Sequence, residues 1–200
     1  WAKTVEDATK EYEANITRQT LYSNLQESIM VGNTEEIKKA VNEFANSYYE
    51  DGEKIQLSLS DRIKKEQETA DIILSVYKEK YGKDIPEELK NSAEVSLNEI
   101  INGLVTQTNE IKDGKVSAEL AKAWQTLGTT NKDKFLENFQ KLPADIQQKV
   151  VDKMYQKGYD ISTELQAGIK QINPEIDIKT KVQNATVKID ADTSKAESKT

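Results

Sequence analysis

Residues 5–33, VEDATKEYEANITRQTLYSNLQESIMVGN, carry apolar side chains at Val5, Ala8, Tyr12, Ile16, Leu21, Leu25 and Ile29. Their spacing, which slips once near Gln19, predicts one long amphipathic helix with a narrow apolar stripe. Gly32-Asn33 ends it, and Thr34 with Glu35 and Glu36 reads as the N-cap and acidic first turn of a second helix through Ile37, Val41, Phe44 and Tyr48. Asp51-Gly52 is its stop. A third helix is expected over about Ile55–Tyr81, with Leu59, Ile63, Ala70, Ile73, Tyr77 and Tyr81 on one face and the stripe interrupted by Glu66 and Gln67. At about 1.5 Å per residue it is roughly 40 Å long, so the first and third helices are expected to form an elongated hairpin or bundle.

After Tyr81-Gly82 the helices shorten. Three helix openings share a pattern of apolar residue, Pro or Ser, and an early acid: Ile85-Pro86-Glu87-Glu88-Leu89, Val116-Ser117-Ala118-Glu119-Leu120 and Leu142-Pro143-Ala144-Asp145-Ile146. Proline fits the first turn, where its missing N–H has no partner to lose, and the acids complement the helix dipole. Apolar faces follow at Leu89, Ala93, Leu97, Ile100 and Leu104, at Leu120, Trp124 and Leu127, at Phe135 and Phe139, at Ile146, Val150 and Met154, and at Ile161, Leu165 and Ile169. Asp113-Gly114, Gly128, Gly158 and Gly168 read as punctuation between helices. The stretches from Ile85 to Leu104 and from Leu142 to Ile169 suggest a weak internal repeat, each passing from such an opening to an apolar–Gly close. From Asn173-Pro174 onward, Ile176, Ile178, Val182, Val187 and Ile189 take an extended or weak β pattern, with a turn near Asn184-Ala185. The fold class is therefore all-α, in segments 1–82 (long helices), 83–172 (short Gly/Pro-punctuated helices) and 173–200 (extended tail or linker).

Composition narrows the chemistry. The 200 residues contain no His and no Cys, which excludes Ser/His and Cys/His nucleophile systems, HExxH zinc sites, disulfides and iron–sulfur clusters. Lys+Arg at 28 against Asp+Glu at 35 gives a net charge of −7, which disfavours general nucleic-acid binding. Hydrophobic residues make up 36% and charged residues 32%, whereas ordinary domains have about 45–50% (counting Gly) and about 25%. That lean core suits long amphipathic helices or a partly disordered chain better than a compact α/β fold with a buried parallel sheet. No apolar run reaches the roughly 20 residues of a transmembrane helix. Trp1-Ala2-Lys3 has neither an initiator Met nor a signal-peptide pattern, so the chain reads as a slice of a longer protein.

Carboxylates are the remaining catalytic groups. Glu66 comes closest to an acid stranded on an apolar face, although a bend or a solvated gap between packing layers is the preferred reading. Glu119 reads as a helix-N-terminal acid rather than a glycosidase carboxylate. Asp190-Ala191-Asp192-Thr193-Ser194 opens like a calcium loop but has Lys195 where Gly is required. Gly82-Lys83 and Gly114-Lys115 lack the rest of a phosphate loop. Trp124, Phe135 and Phe139 are expected in the core; Tyr48, Tyr49, Tyr155 and Tyr159 are expected to be half-buried, with contact roles as the alternative. The sequons at Asn15 and Asn184 are taken as chance. No residue is assigned a catalytic, cofactor-binding or metal-binding role, and no cofactor is expected.

The stretches Ser117–Trp124, Phe135–Phe139 and Leu142–Val150, followed by Gly158 and Leu165-Gln166-Ala167-Gly168-Ile169, resemble tape measure proteins of long-tailed bacteriophages. Val187-Lys188-Ile189-Asp190-Ala191-Asp192-Thr193-Ser194-Lys195-Ala196 is similar to a Val-x-Ile/Val-Asp-Ala-Asp-Thr-Ser-x-Ala segment recurring in that family. The resemblance covers roughly the C-terminal half. It implies a structural, non-enzymatic component of a phage or prophage tail, located in the tail lumen and in the host cytoplasm during assembly. The partners implied are tail-tube, tail-tip and assembly-chaperone proteins, with self-association, and no specific nucleic acid. The eight glycines and three prolines depart from a simple helical ruler and suggest a folded module within the longer protein. A cell-wall-cleaving module and a bacterial helical adaptor or surface protein are the alternatives.

Overall fold

Helix is the only regular secondary structure among the described residues of this computed structural model, which are 2–47, 57–112 and 114–179. The helices are α1 (Ala2–Val31), α2 (Thr34–Asn46), α3 (Leu59–Tyr81), α4 (Glu87–Asn109), α5 (Ala118–Thr130), α6 (Lys132–Phe139), α7 (Ala144–Gln156) and α8 (Thr163–Ile172). The chain is all-α over these residues. It divides into two compact units, Trp1–Thr106 and Gln107–Thr200, a different cut from the sequence segments 1–82, 83–172 and 173–200. Gly82, at φ +60, supplies a turn after α3 rather than a boundary between units. Most of α4 lies in the first unit, where Leu89 joins the core.

In the first unit, Leu25 and Ile29 of α1 pack with Ile37, Val41 and Phe44 of α2 and with Ile73, Val76 and Tyr77 of α3. Tyr22 and Phe44 meet with ring centroids 5.8 Å apart. The apolar residues at the start of α1 do not join this core. Val5, Tyr12 and Ile16 are 61%, 67% and 47% exposed, whereas Leu25 and Ile29 are at 0% and 1%. Five residues separate Ile16 from Leu21, and at 3.6 residues per turn that rotates the apolar direction by about 140°. The slip near Gln19 therefore splits the expected single stripe into two, pointing to nearly opposite faces.

The second helix begins one residue differently from expectation. Asn33, not Thr34, is the N-cap: its side chain accepts from the Glu35 and Glu36 amides at 3.1 Å, and Glu36 Oε2 accepts from the Asn33 amide at 3.0 Å. This closes a reciprocal capping box. Elsewhere Arg18 Nε donates to the Ser47 carbonyl at 3.2 Å, and Lys80 Nζ donates to the Ile29 carbonyl. The residues expected to stop α2, Asp51-Gly52, and its Tyr48 lie outside the described residues.

The second unit is built on three rings. Trp124 meets Phe135 and Phe139 edge-on at 5.4 and 5.8 Å, and the two phenylalanines stack at 5.0 Å. All three side chains are fully buried. The indole N–H is not stranded, because it donates to Thr108 Oγ1 at 3.0 Å. Gln147 is also buried: its amide donates to the Phe139 and Leu142 carbonyls at the end of α6 and accepts from Asn173 Nδ2. After α8 the chain is held by the Gln148 side chain, which donates to the Asp177 carbonyl and accepts from its amide at 3.1 and 2.8 Å, and Ile176 is buried. The expected β pattern from Val182 onward lies outside the described residues.

Two expectations about glycine change here. Gly114 and Gly158 have positive φ, as punctuation requires, but Gly128 and Gly168 lie within α5 and α8. A Cβ on Gly128 would stand 2.6 Å from Leu165 Cδ2 and 3.2 Å from Phe135 Cδ2; one on Gly168 would stand 2.5 Å from Leu136 Cδ1. These glycines permit close helix packing. The suggested internal repeat also fails, since Ile85–Leu104 leads into one unbroken helix through Gly103, whereas Leu142–Ile169 contains two helices broken at Gly158.

Leu165 and Phe135 are buried and cannot yield, whereas Leu136 is half-buried and can rotate outward. Overpacking costs about 1–3 kcal/mol and replacing a mid-helix Gly by Ala returns up to about 1 kcal/mol. Gly128→Ala is therefore expected to lose about 1–2 kcal/mol of stability in urea unfolding, with Gly168→Ala near neutral. The reverse ranking would contradict this packing.

Candidate interaction surfaces

The acids singled out from sequence occupy different environments. Glu66 lies inside a continuous α3 and is 5% exposed, so a solvated gap does not account for it. It has an interaction partner, and the neighbouring Gln67 donates to Asp71 Oδ1 at 2.8 Å. One turn earlier, Arg62 Nε is buried without a hydrogen-bond partner. Glu119 is exposed in the first turn of α5, where it complements the positive end of the helix. Glu66 belongs to the first unit and Glu119 to the second, and neither lines the two depressions described below.

Electrostatic perturbations are local. Hydrogen bonding to Glu88 at 2.6 Å and to Glu35 at 3.3 Å raises the Lys38 pKa on an exposed surface. Lys149, 3.1 Å away, lowers that of the exposed Asp145 at the start of α7. Burial raises the Tyr77 phenol above its ordinary value, opposed by the Ser92 hydroxyl at 3.4 Å. These are ion pairs and packing, not an acid and a base facing a common substrate.

Each unit carries a surface depression lined by described residues. A cleft of about 690 Å³ in the second unit is lined by Leu136, Gln140, Gln147, Gly168, Gln171 and Asn173, among others. Its lining holds one ionisable side chain, Glu137, which pairs with Lys141 at 3.7 Å. The Gln147 amide is already used by backbone carbonyls and Asn173. In the first unit a groove of about 380 Å³ runs between α1 and α2, with Glu27, Glu36 and Glu43 against Lys39. Among the described residues no group of three His, Cys, Asp or Glu could hold a metal ion. The calcium-like Asp190–Ser194 stretch and the Asn184 sequon lie outside them. Tyr155 and Tyr159 are half-buried, and Lys122 Nζ sits 4.9 Å from the Tyr159 ring centroid.

The feature that sequence reading missed is the exposed α1 face with Val5, Tyr12 and Ile16. Its signal was present in the residue numbers: a rotation of about 100° per residue separates these positions from Leu21, Leu25 and Ile29. Among the described residues no helix is long and apolar enough to cross a membrane. No family model, curated protein or solved structure matches the chain.

The buried Tyr77 gives a test of the first-unit core. A phenol whose folded pKa is raised contributes fully below its unfolded value, about pH 10, and that contribution is lost as pH rises through the folded value. Urea midpoints are expected to fall above about pH 10, and Tyr77→Phe is expected to flatten that fall. An unchanged alkaline slope in Tyr77→Phe would place the dependence elsewhere.

Proposed function

We propose that the chain is a structural segment of a bacteriophage tail tape measure protein that works through helix packing and protein contacts, without catalysis. The resemblance of Ser117–Val150, Leu165–Ile169 and Val187–Ala196 to that family carries this reading. The composition agrees with it: without His or Cys, the chain lacks the usual nucleophile–base systems. The exposed apolar face of α1 and the amide-lined cleft suit contacts with other proteins better than turnover of a small substrate.

In this reading the long helices form an elongated bundle or hairpin within a larger protein, and the short-helix module with residues 173–200 leads to neighbouring segments. The partners are tail-tube, tail-tip and assembly-chaperone proteins, with self-association. The location is the tail lumen of the virion and, during assembly, the host cytoplasm. The module contributes to tail assembly and length determination as part of the whole protein.

Mass spectrometry of tails purified after prophage induction is expected to recover peptides from this chain, and in-frame deletion of its coding region is expected to abolish or shorten tails. Normal tails free of these peptides would contradict the proposal. Peptidoglycan zymography separates the enzymatic alternative: clearing by the purified chain, abolished by a single Glu→Gln change, would establish a cell-wall-cleaving module instead.

A further inference from the structure

The apolar residues on the outer face of α1 form a line rather than a scatter. Tyr12 and Ile16 fall within about 20° of Val5 on a helical wheel, one on either side, and the three span roughly 17 Å of helix. Their spacing of seven and then four residues is that of a seam made for another helix. The seam points away from Leu25 and Ile29, which the first-unit core already covers.

The charges around the seam select the partner. Glu13 and Glu27 lie within about 80° of Val5 on the wheel, while Lys10 and Arg18 lie about 140° away on the far side. Lys10 pairs with Glu6 at 3.0 Å, and Arg18 donates to Ser47. Further along α1, the groove shared with α2 adds Glu36 and Glu43 to Glu27, against Lys39 alone. This side of the first unit is therefore an apolar line with an acidic border.

We propose that this face of α1 is a docking surface for an amphipathic helix of another protein whose apolar stripe is flanked by Lys and Arg. A second copy of the chain fits poorly, because pairing this seam with itself offers Glu13 and Glu27 no Lys or Arg: Lys10 and Arg18 of the other copy lie on its far side, paired with Glu6 and Ser47. A basic-flanked helix buries the same apolar line and pairs its charges with those acids. The surface is independent of the tail reading and specifies partner chemistry that the reading leaves open.

The test uses the full 200-residue chain and two fluorescein-labelled three-heptad peptides with the same Leu/Ile stripe, one flanked by Lys and one by Glu. Fluorescence anisotropy at low salt is expected to show the Lys-flanked peptide binding at least about tenfold more tightly, with the advantage falling as salt screens the acids. Tyr12→Glu with Ile16→Glu is expected to abolish binding while the far-UV circular dichroism is retained, since both residues are exposed. The milder pair Tyr12→Ser with Ile16→Ser is expected to weaken binding and guards against helix loss in the first variant. Glu13→Lys with Glu27→Lys is expected to reverse the preference. Equal affinity for the two peptides, binding of neither, or binding that survives the Tyr12 and Ile16 changes would overturn the proposal. So would a concentration-dependent dimer in analytical ultracentrifugation that those changes abolish, because it would place a second copy on the face.

Discussion

The first unit depends on a phase constraint in α1. A helix turns about 100° per residue, so an apolar pattern that slips by one position cannot bury both of its halves against the same neighbour. Leu21, Tyr22, Leu25 and Ile29 face α2 and α3, and the core of Ile37, Val41, Phe44, Ile73 and Tyr77 closes on them. Val5, Tyr12 and Ile16 are thereby left to solvent. With 36% hydrophobic residues, the chain has few apolar side chains to spare, so a line of three left uncovered on one face is consequential. One half of α1 builds the fold, and the other half supplies a surface.

The second unit meets the same lean composition by different means. Its aromatic cluster concentrates large buried area in Trp124, Phe135 and Phe139, and the polar groups that burial would strand are paired: the indole with Thr108 and the Gln147 amide with two carbonyls and Asn173. Gly128 and Gly168 let helices approach where even a methyl group would collide. Packing of this kind supports a well-defined small core without many residues.

Local rules carry far in this sequence. Helix periodicity marks most of the helices, Ser117 caps α5 as its opening pattern suggests, and the three core aromatics are recognisable from spacing. The Asn33–Glu36 capping box is also readable, although Thr34 competes as an equally good capping residue and only the backbone decides between them. Nonlocal facts are not readable in this way. A glycine that ends a helix and one that admits a neighbouring side chain look alike until that neighbour is placed, which is why Gly128 and Gly168 misled. Glu66 could not be assigned from periodicity alone, because a buried acid and a solvated one interrupt an apolar stripe in the same way. The outer face of α1 was hidden only by reading apolar spacing without tracking its angle.

Amide hydrogen exchange along α1 tests the central claim most directly, because it reports where tertiary packing protects a continuous helix. In the isolated chain, amides of residues 5–16 are expected to exchange rapidly, near the rate of a solvated helix, while those of residues 21–31 are strongly protected, with the change falling close to Gln19. Uniform strong protection from Val5 to Val31 would show that the first half of α1 is packed within the chain and would contradict the division of α1 into a core half and a surface half.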